Sequence, residues 1–170
     1  MANSSIVGKA KNKIVKEFIK DQDIVEAINS SEVKFNEPEK LINKHIFTYN
    51  QNPHTLNVVG TFITIQVHIP HDYYTGYHGT SMIYVKPTIE IWVISHERHM
   101  VVDNVSKVTQ NRNDYLSELI DRKINDKLGF GIGETRLLSN IEGSFQQDYL
   151  YRKMTFECLD LNASMCEGED

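Results

Sequence analysis

The sequence predicts an α+β fold: a two-layer single domain in which a mainly antiparallel sheet is packed by N-terminal and central helices. Three observations support this prediction. The N-terminal segment repeats apolar residues at helical spacing, two central runs alternate apolar and polar residues, and a capped helix followed by a hairpin comes last. A length of 170 residues suits one core, so we assign residues 1–161 to one domain and residues 162–170 to a flexible acidic tail.

The first predicted element is an amphipathic helix from about Ser5 to Lys20, with one apolar stripe and a lysine-rich side. The lysines are Lys9, Lys11, Lys13, Lys16 and Lys20. A nucleic-acid-binding face would have this composition, but an ordinary solvated face has it too, and the lack of interleaved aromatic residues favours the latter. Asp21 and Asp23 offer caps for a short second helix, and Pro38 indicates the first turn of a third. Turn-forming residues from Ile46 to Thr55 predict a surface connection, and its aromatic residues are expected to pin it to the core.

Two strands are predicted in the centre of the chain. The run from Val59 to Ile69 alternates with a period of two, and the run from Ile83 to Val93 repeats that pattern. Pro87 lies inside the second run and lacks an amide donor, so an edge position or a bulge is expected there. The segment between them, Pro70 to Met82, is polar and aromatic and is expected to project as a loop that contacts another subunit.

The last third of the chain predicts a helix and a hairpin. Asn111 or Asn113 caps the helix, whose apolar stripe is predicted to reach Leu128 before Gly129 ends it. Two strands over residues 136–141 and 149–158 follow, with Gly143 expected in the turn between them.

Composition excludes several classes of protein. A net charge of −5 and a pI near 5.8 give no general attraction to polyanions. Two cysteines, Cys158 and Cys166, are too few for a disulfide framework, which favours reduced thiols and an intracellular assembly site. The N-terminus lacks a signal-peptide pattern, and no apolar run approaches the roughly 20 residues that span a bilayer. We therefore expect a soluble chain that does not interact with membranes.

A histidine-dependent metal site is the sharpest enzymatic alternative. His68 with His71, and His96 with His99, could supply imidazole ligands if the two strand ends meet. Their spacing matches no helical His-Glu-x-x-His site, which favours the interpretation that these histidines are at strand ends and in a contact loop.

Two further patterns have simple structural explanations. Ser95-His96-Glu97 contains the residue types of a hydrolytic triad, but adjacency does not create triad geometry and no Gly-x-Ser-x-Gly elbow is present. The glycines from Gly129 to Gly133 follow a helix and precede a strand, the reverse of a dinucleotide fingerprint, and fit a helix stop. No catalytic, cofactor-binding or metal-binding residue is assigned, and we do not expect an enzyme.

The order of elements resembles that of a family of phage proteins. The similarity is carried by Asn111–Asp121, Phe130–Gly133, Leu138–Gly143 and Met154–Asn162, and it extends back through Pro38–Ile42 and Ile46-Phe47. On these segments the chain resembles tail-terminator or tail-completion proteins of phages that infect Gram-positive hosts. The resemblance implies a compact α+β subunit that forms a hexameric ring on the tail tube in the neck of the virion.

That resemblance also implies partners. The ring would stop polymerisation of the tail tube protein and would dock a head connector or stopper protein, while DNA passes through its lumen without specific binding. A connector or stopper protein of the same neck is the alternative function. The candidate subunit contacts are in the projecting loop and on the outward side of the second strand: His71, Tyr73, Tyr74, Tyr77, His78, Tyr84 and Trp92.

Overall fold

Along the chain, two helices precede the first three strands, and a third helix precedes the last two strands. The computed structural model describes residues 4–56, 59–68, 87–127, 134–145 and 148–158. Its helices are α1 (Ser4–Lys20), α2 (Gln22–Ile28) and α3 (Arg112–Ile124), and short 3-10 turns span Pro38–Leu41, Pro53–Leu56 and Glu97–His99. Its strands are β1 (Ile46–Phe47), β2 (Thr61–His68), β3 (Thr88–His96), β4 (Thr135–Phe145) and β5 (Tyr149–Cys158).

The described strands form one five-stranded sheet in the order β1-β2-β3-β5-β4. Only the first pair is parallel; β2 with β3, β3 with β5 and β5 with β4 are antiparallel. The three helices pack on one side, where their apolar stripes bury the inward residues of β2, β3 and β5 in the main core. The predicted α+β class and mainly antiparallel sheet are confirmed.

Local signals explain the first two helices. Asp21 has an extended backbone, and its carboxylate accepts hydrogen bonds from the backbone amides of Asp23 and Ile24, which caps α2 as predicted. Asn29 ends α2 in the left-handed conformation, with φ 48°. Among the described helices, none is long and apolar enough to cross a membrane.

Three details of the strand predictions are wrong. Ile46 and Phe47 form the parallel strand β1, paired with Ile63 and Thr64, instead of part of a connection, although Phe47 is buried as expected of an aromatic residue in that segment. Pro87 does not mark an edge strand: β3 begins one residue later and lies between β2 and β5, and the Pro87 carbonyl accepts a hydrogen bond from the Cys158 amide. Gly143 is inside β4, opposite Tyr151, instead of in the turn.

The predicted end of the central helix is also wrong. Asn111 caps α3 by accepting from the Asp114 amide, as predicted, but the helix ends at Ile124 and not near Gly129. The Thr135 hydroxyl donates to the Ile124 carbonyl, and the Asp126 amide donates to the Thr135 carbonyl, so the first residue of β4 takes the place of the next helical turn. Leu128 to Gly133, the segment from Pro70 to Met82 that is predicted to project as a loop, and the predicted acidic tail lie outside the described residues.

Candidate interaction surface

The side of the sheet that faces away from the helices carries a second apolar cluster. Its buried members are Phe47, Phe62, Ile94 and Tyr149, and Trp92, Phe145 and Tyr151 pack against them partly buried. Among the described residues this cluster contains no helical side chain, since every member is in a strand. We call this surface, together with Ile141 on the same side of β4, the aromatic face.

Trp92 is at the centre of the aromatic face. Its ring centroid is 4.8 Å from that of Tyr151, and the ammonium of Lys153 lies 5.2 Å from the Trp92 ring centroid. Lys153 also forms a 2.8 Å ion pair with Glu90 on the neighbouring strand. Burial raises the pKa of the Glu90 carboxyl, but the hydrogen bond and the charge of Lys153 outweigh that effect, so the pKa lies below its usual value. The carboxylate is therefore ionised at neutral pH.

The strand next to this centre leaves apolar surface exposed. Ile141 pairs with Lys153 across β4 and β5, and its side chain is 55% exposed. Two residues further along β4, Gly143 leaves room for the Tyr151 ring, because a Cβ atom there would be 2.6 Å from the Cζ atom of Tyr151. Apolar side chains with a central charged pair are typical of a surface that a protein partner covers.

Among the seven candidate contacts, only Trp92 falls within the described residues. His71, Tyr73, Tyr74, Tyr77, His78 and Tyr84 lie outside them. The outward orientation predicted for Trp92 is confirmed, because its neighbours Tyr151 and Lys153 are on the side opposite the main core.

His68 and His96 do not come together as the predicted metal site requires. β2 and β3 are antiparallel, so His68 pairs with Thr88 at one end of the pair while His96 follows Ser95, which pairs with Thr61 at the other. No group of three potential ligands that could hold a metal ion occurs within the described ranges. Adjacent strand residues point to opposite sides, and accordingly Ser95 is buried beside Thr61 while His96 contacts the Tyr149 ring. Ser95-His96-Glu97 is therefore not a triad.

The lysine-rich side of α1 needs one correction. Lys11 does not lie with the other lysines: its ammonium donates to the Thr48 carbonyl at 2.8 Å, and its side chain is partly buried. At about 100° of rotation per residue, position 11 falls beside the buried residues and not among the exposed lysines.

A buried guanidinium is the polar feature that the sequence did not predict. Arg112 is 1% exposed and donates to the carbonyls of His99 and Ala27 at 2.6 Å and of Val101 at 2.5 Å. Burial, and then the nearby Arg112 charge, lower the pKa of His99 to about 4. No local pattern distinguishes Arg112 from an exposed arginine in the first turn of a helix, so only the tertiary structure identifies it.

Comparison with known proteins identifies the family. A family model described as YomW matches residues 21–158. The chain belongs to the YomW family. No curated protein and no solved structure matches it. Membership of YomW is consistent with a phage protein and does not specify a tail terminator.

The range shared with the YomW family begins at the cap of α2 and ends at the last residue of β5. It therefore includes the complete described sheet, the aromatic face and α3. Helix α1 lies outside the matched range.

Proposed function

We propose that this YomW-family protein is a structural virion protein that forms a ring at the head-proximal end of a phage tail. The ring terminates assembly of the tail tube and joins it to the head connector. The observation that carries this proposal is the aromatic face, an apolar sheet surface built entirely from strands among the described residues. Membership of a family consistent with phage proteins supports it.

The chemistry of the aromatic face suits a tube-binding role. Trp92 and Tyr151 provide rigid, amphipathic contact area at low cost in side-chain entropy. Lys153 and Glu90 give the patch a fixed pair of charges, which sets the register of a partner. Exposed Ile141 extends the apolar area toward the sheet edge at β4.

The ring would also have to let DNA pass. A net charge of −5 per chain favours a lumen that repels the phosphate backbone and does not retain it. A basic lumen lining in the assembled ring would contradict this part of the proposal.

Ile141→Asp tests the proposal at one exposed position. The side chain is 55% exposed, so an aspartate there leaves the fold intact but puts a charge in the proposed contact. Native mass spectrometry and electron microscopy should show rings for the wild-type protein, and co-sedimentation should show that these rings bind tail tubes. We expect Ile141→Asp to weaken tube binding at least about tenfold.

Val101→Asp is the matched control. Val101 is also a β-branched aliphatic residue, is 74% exposed, and lies in the connection after β3 instead of on the sheet. It should bind tubes like the wild type. Tube binding that Ile141→Asp leaves unchanged would argue against the aromatic face, and a wild-type monomer that binds no tails would remove the proposed function.

Binding to filled heads and the metal content of the purified protein separate the alternative functions. A connector or stopper protein of the neck would bind filled heads and not isolated tail tubes. A histidine-dependent metal-binding enzyme would retain stoichiometric zinc, manganese or iron after purification without an affinity tag.

A further inference from the structure

Four lysines of α1 form a single exposed line. Lys9, Lys13, Lys16 and Lys20 follow one another at intervals of four, three and four residues, which places them on one side of a helix. All four are exposed, and the buried residues Ala10, Ile14 and Phe18 lie on the other side. We call these four residues the lysine stripe.

Helix α3 carries a matching line of carboxylates. Asp114, Glu118 and Asp121 follow at intervals of four and three residues, and we call them the acidic stripe. At a rise of about 1.5 Å per residue, both stripes space their charges by roughly 6 Å and then 4.5 Å. The acidic stripe borders an open cleft of about 430 Å³ between α3 and the β4–β5 hairpin. Within that cleft three carboxylates face one guanidinium, that of Arg152.

The acidic stripe keeps unsatisfied hydrogen-bonding capacity. Asp114 is paired with Arg152 at 2.6 Å and Glu118 with Arg122 at 3.6 Å, but the Oδ1 atom of Asp121 is buried and has no hydrogen-bond partner in the described structure. Burial, and then the charge of Asp126, raise the pKa of the Asp121 carboxyl. A cation placed beside this carboxylate would lower that pKa again.

A second orphan acceptor lies in the adjoining cavity. Asn113 is 2% exposed; its amide nitrogen donates to the Leu150 carbonyl, whereas its Oδ1 atom has no partner among the described residues. Asn113 lines a cavity of about 200 Å³ that shares Asp114 and Arg152 with the cleft. Buried acceptors without donors are uncommon in folded proteins. Both orphan atoms are acceptors, so this region has more hydrogen-bond acceptors than donors.

The two stripes are at opposite ends of the helical layer. Helix α1 packs on β2, and α3 packs on β3, β5 and β4, while α2 contacts both helices. The sheet order places β2 toward the β1 edge and β5 toward the β4 edge. A contact between the lysine stripe and the acidic stripe would therefore join different copies head to tail, and such heterologous contacts can close into a ring.

We infer that the acidic stripe of one copy binds the lysine stripe of the next copy. This inference deepens the proposed ring and rests on the proposed function only in requiring that copies associate. Charge complementarity identifies the occupant: three carboxylates and one guanidinium line the cleft, so its lining is acidic, and the same chain presents four exposed lysines at the matching intervals.

Charge reversal at one position in each stripe tests the contact. We expect Lys13→Glu and Glu118→Lys each to weaken self-association at least about tenfold, because each places like charges opposite one another. The combined variant Lys13→Glu/Glu118→Lys restores opposite charges and should recover the oligomer. Mixing the two single variants should do the same. Native mass spectrometry and sedimentation velocity at about 0.05 M and 0.15 M salt provide the readout.

Lys34→Glu and Glu39→Lys are the matched controls. They make the same charge changes at exposed positions outside both helices: Lys34 precedes the 3-10 turn at Pro38–Leu41, and Glu39 is within it. Both variants should leave the oligomer unchanged. Circular dichroism of every variant checks that the fold is retained.

The outcomes separate this contact from the proposed function. Reversals that leave the oligomer intact, or losses that the combined variant does not restore, overturn the inference even if the rings still bind tail tubes. The inference is also overturned if the wild-type protein binds DNA and Lys13→Glu loses that binding without a change in oligomer mass. The lysine stripe would then be a nucleic-acid-binding surface and not a subunit contact. Restored oligomers that bind no tubes support the contact and count against the proposed function.

Discussion

Arg112→Ala should be among the most destabilising single substitutions in this chain. The guanidinium donates to three backbone carbonyls, those of Ala27 at the end of α2 and of His99 and Val101 in the connection after β3. The nearest carboxylate, that of Asp103, is 3.8 Å away and 78% exposed, so the carbonyl oxygens provide most of the compensation for the buried charge.

The expected magnitude follows from these contacts. Hydrogen bonds to a charged group contribute about 1.5–3 kcal/mol each, and the substitution removes these three together with a fourth, to the Asn104 Oδ1 atom at 3.2 Å. Removing the guanidinium also removes the cost of burying it, and water can reach some of the freed carbonyls. We therefore expect the free energy of unfolding to fall by about 3–5 kcal/mol. Arg112→Lys should lose less, because its ammonium keeps the charge and one or two of the carbonyls.

Urea unfolding followed by circular dichroism at neutral pH measures the change. Arg98→Ala is the control, since Arg98 is exposed in the 3-10 turn at Glu97–His99 and its loss should cost less than about 0.5 kcal/mol. An Arg112→Ala protein within about 1 kcal/mol of the wild type would refute the reasoning. It would mean that water satisfies the three carbonyls as well as the guanidinium does.

Two further predictions concern titration and packing. The folded-state pKa of His99 is about 4, below its ordinary value of 6.5, so its contribution to stability is complete above pH 6.5 and is lost as the pH falls toward 4. Between pH 7 and pH 5 the wild-type protein should lose up to about 2 kcal/mol more of its free energy of unfolding than His99→Asn does. Equal losses in the two proteins would contradict this. Gly143→Ala should displace the Tyr151 ring from Trp92, the single tryptophan of the chain, and so change its fluorescence emission. An unchanged emission spectrum would contradict the contact between Tyr151 and Trp92.

The sequence predicts those elements whose signals are local. The Asp21 cap of α2 and the Asn111 cap of α3 each involve residues two or three positions apart, and both are confirmed. The alternation of β2 and β3 identifies which residues face the helices because a strand has a fixed period of two. The outward side of Trp92 follows from the same period.

Errors in the prediction come from contacts between residues distant in sequence. Strand β1 exists because Ile46 pairs with Ile63 at the sheet edge, which the turn-forming residues around Ile46 do not reveal. Helix α3 ends at Ile124 because Thr135 contacts its last turn. Arg112 resembles any arginine in a first helical turn until Ala27, 85 residues away, supplies a carbonyl. Tertiary structure overrides local propensity at each of these positions.

The two proposed surfaces can act together because they do not compete for space. The lysine and acidic stripes are on the helical layer, whereas the aromatic face is on the opposite side of the sheet. A copy held by neighbours through its helices therefore still presents Trp92 and Ile141. Ring closure would repeat that surface in every subunit, so each contact with a tube end would be reinforced by the others through effective concentration. A modest aromatic contact per subunit is then sufficient for tight binding by the ring, and a single substitution such as Ile141→Asp acts on every contact at once.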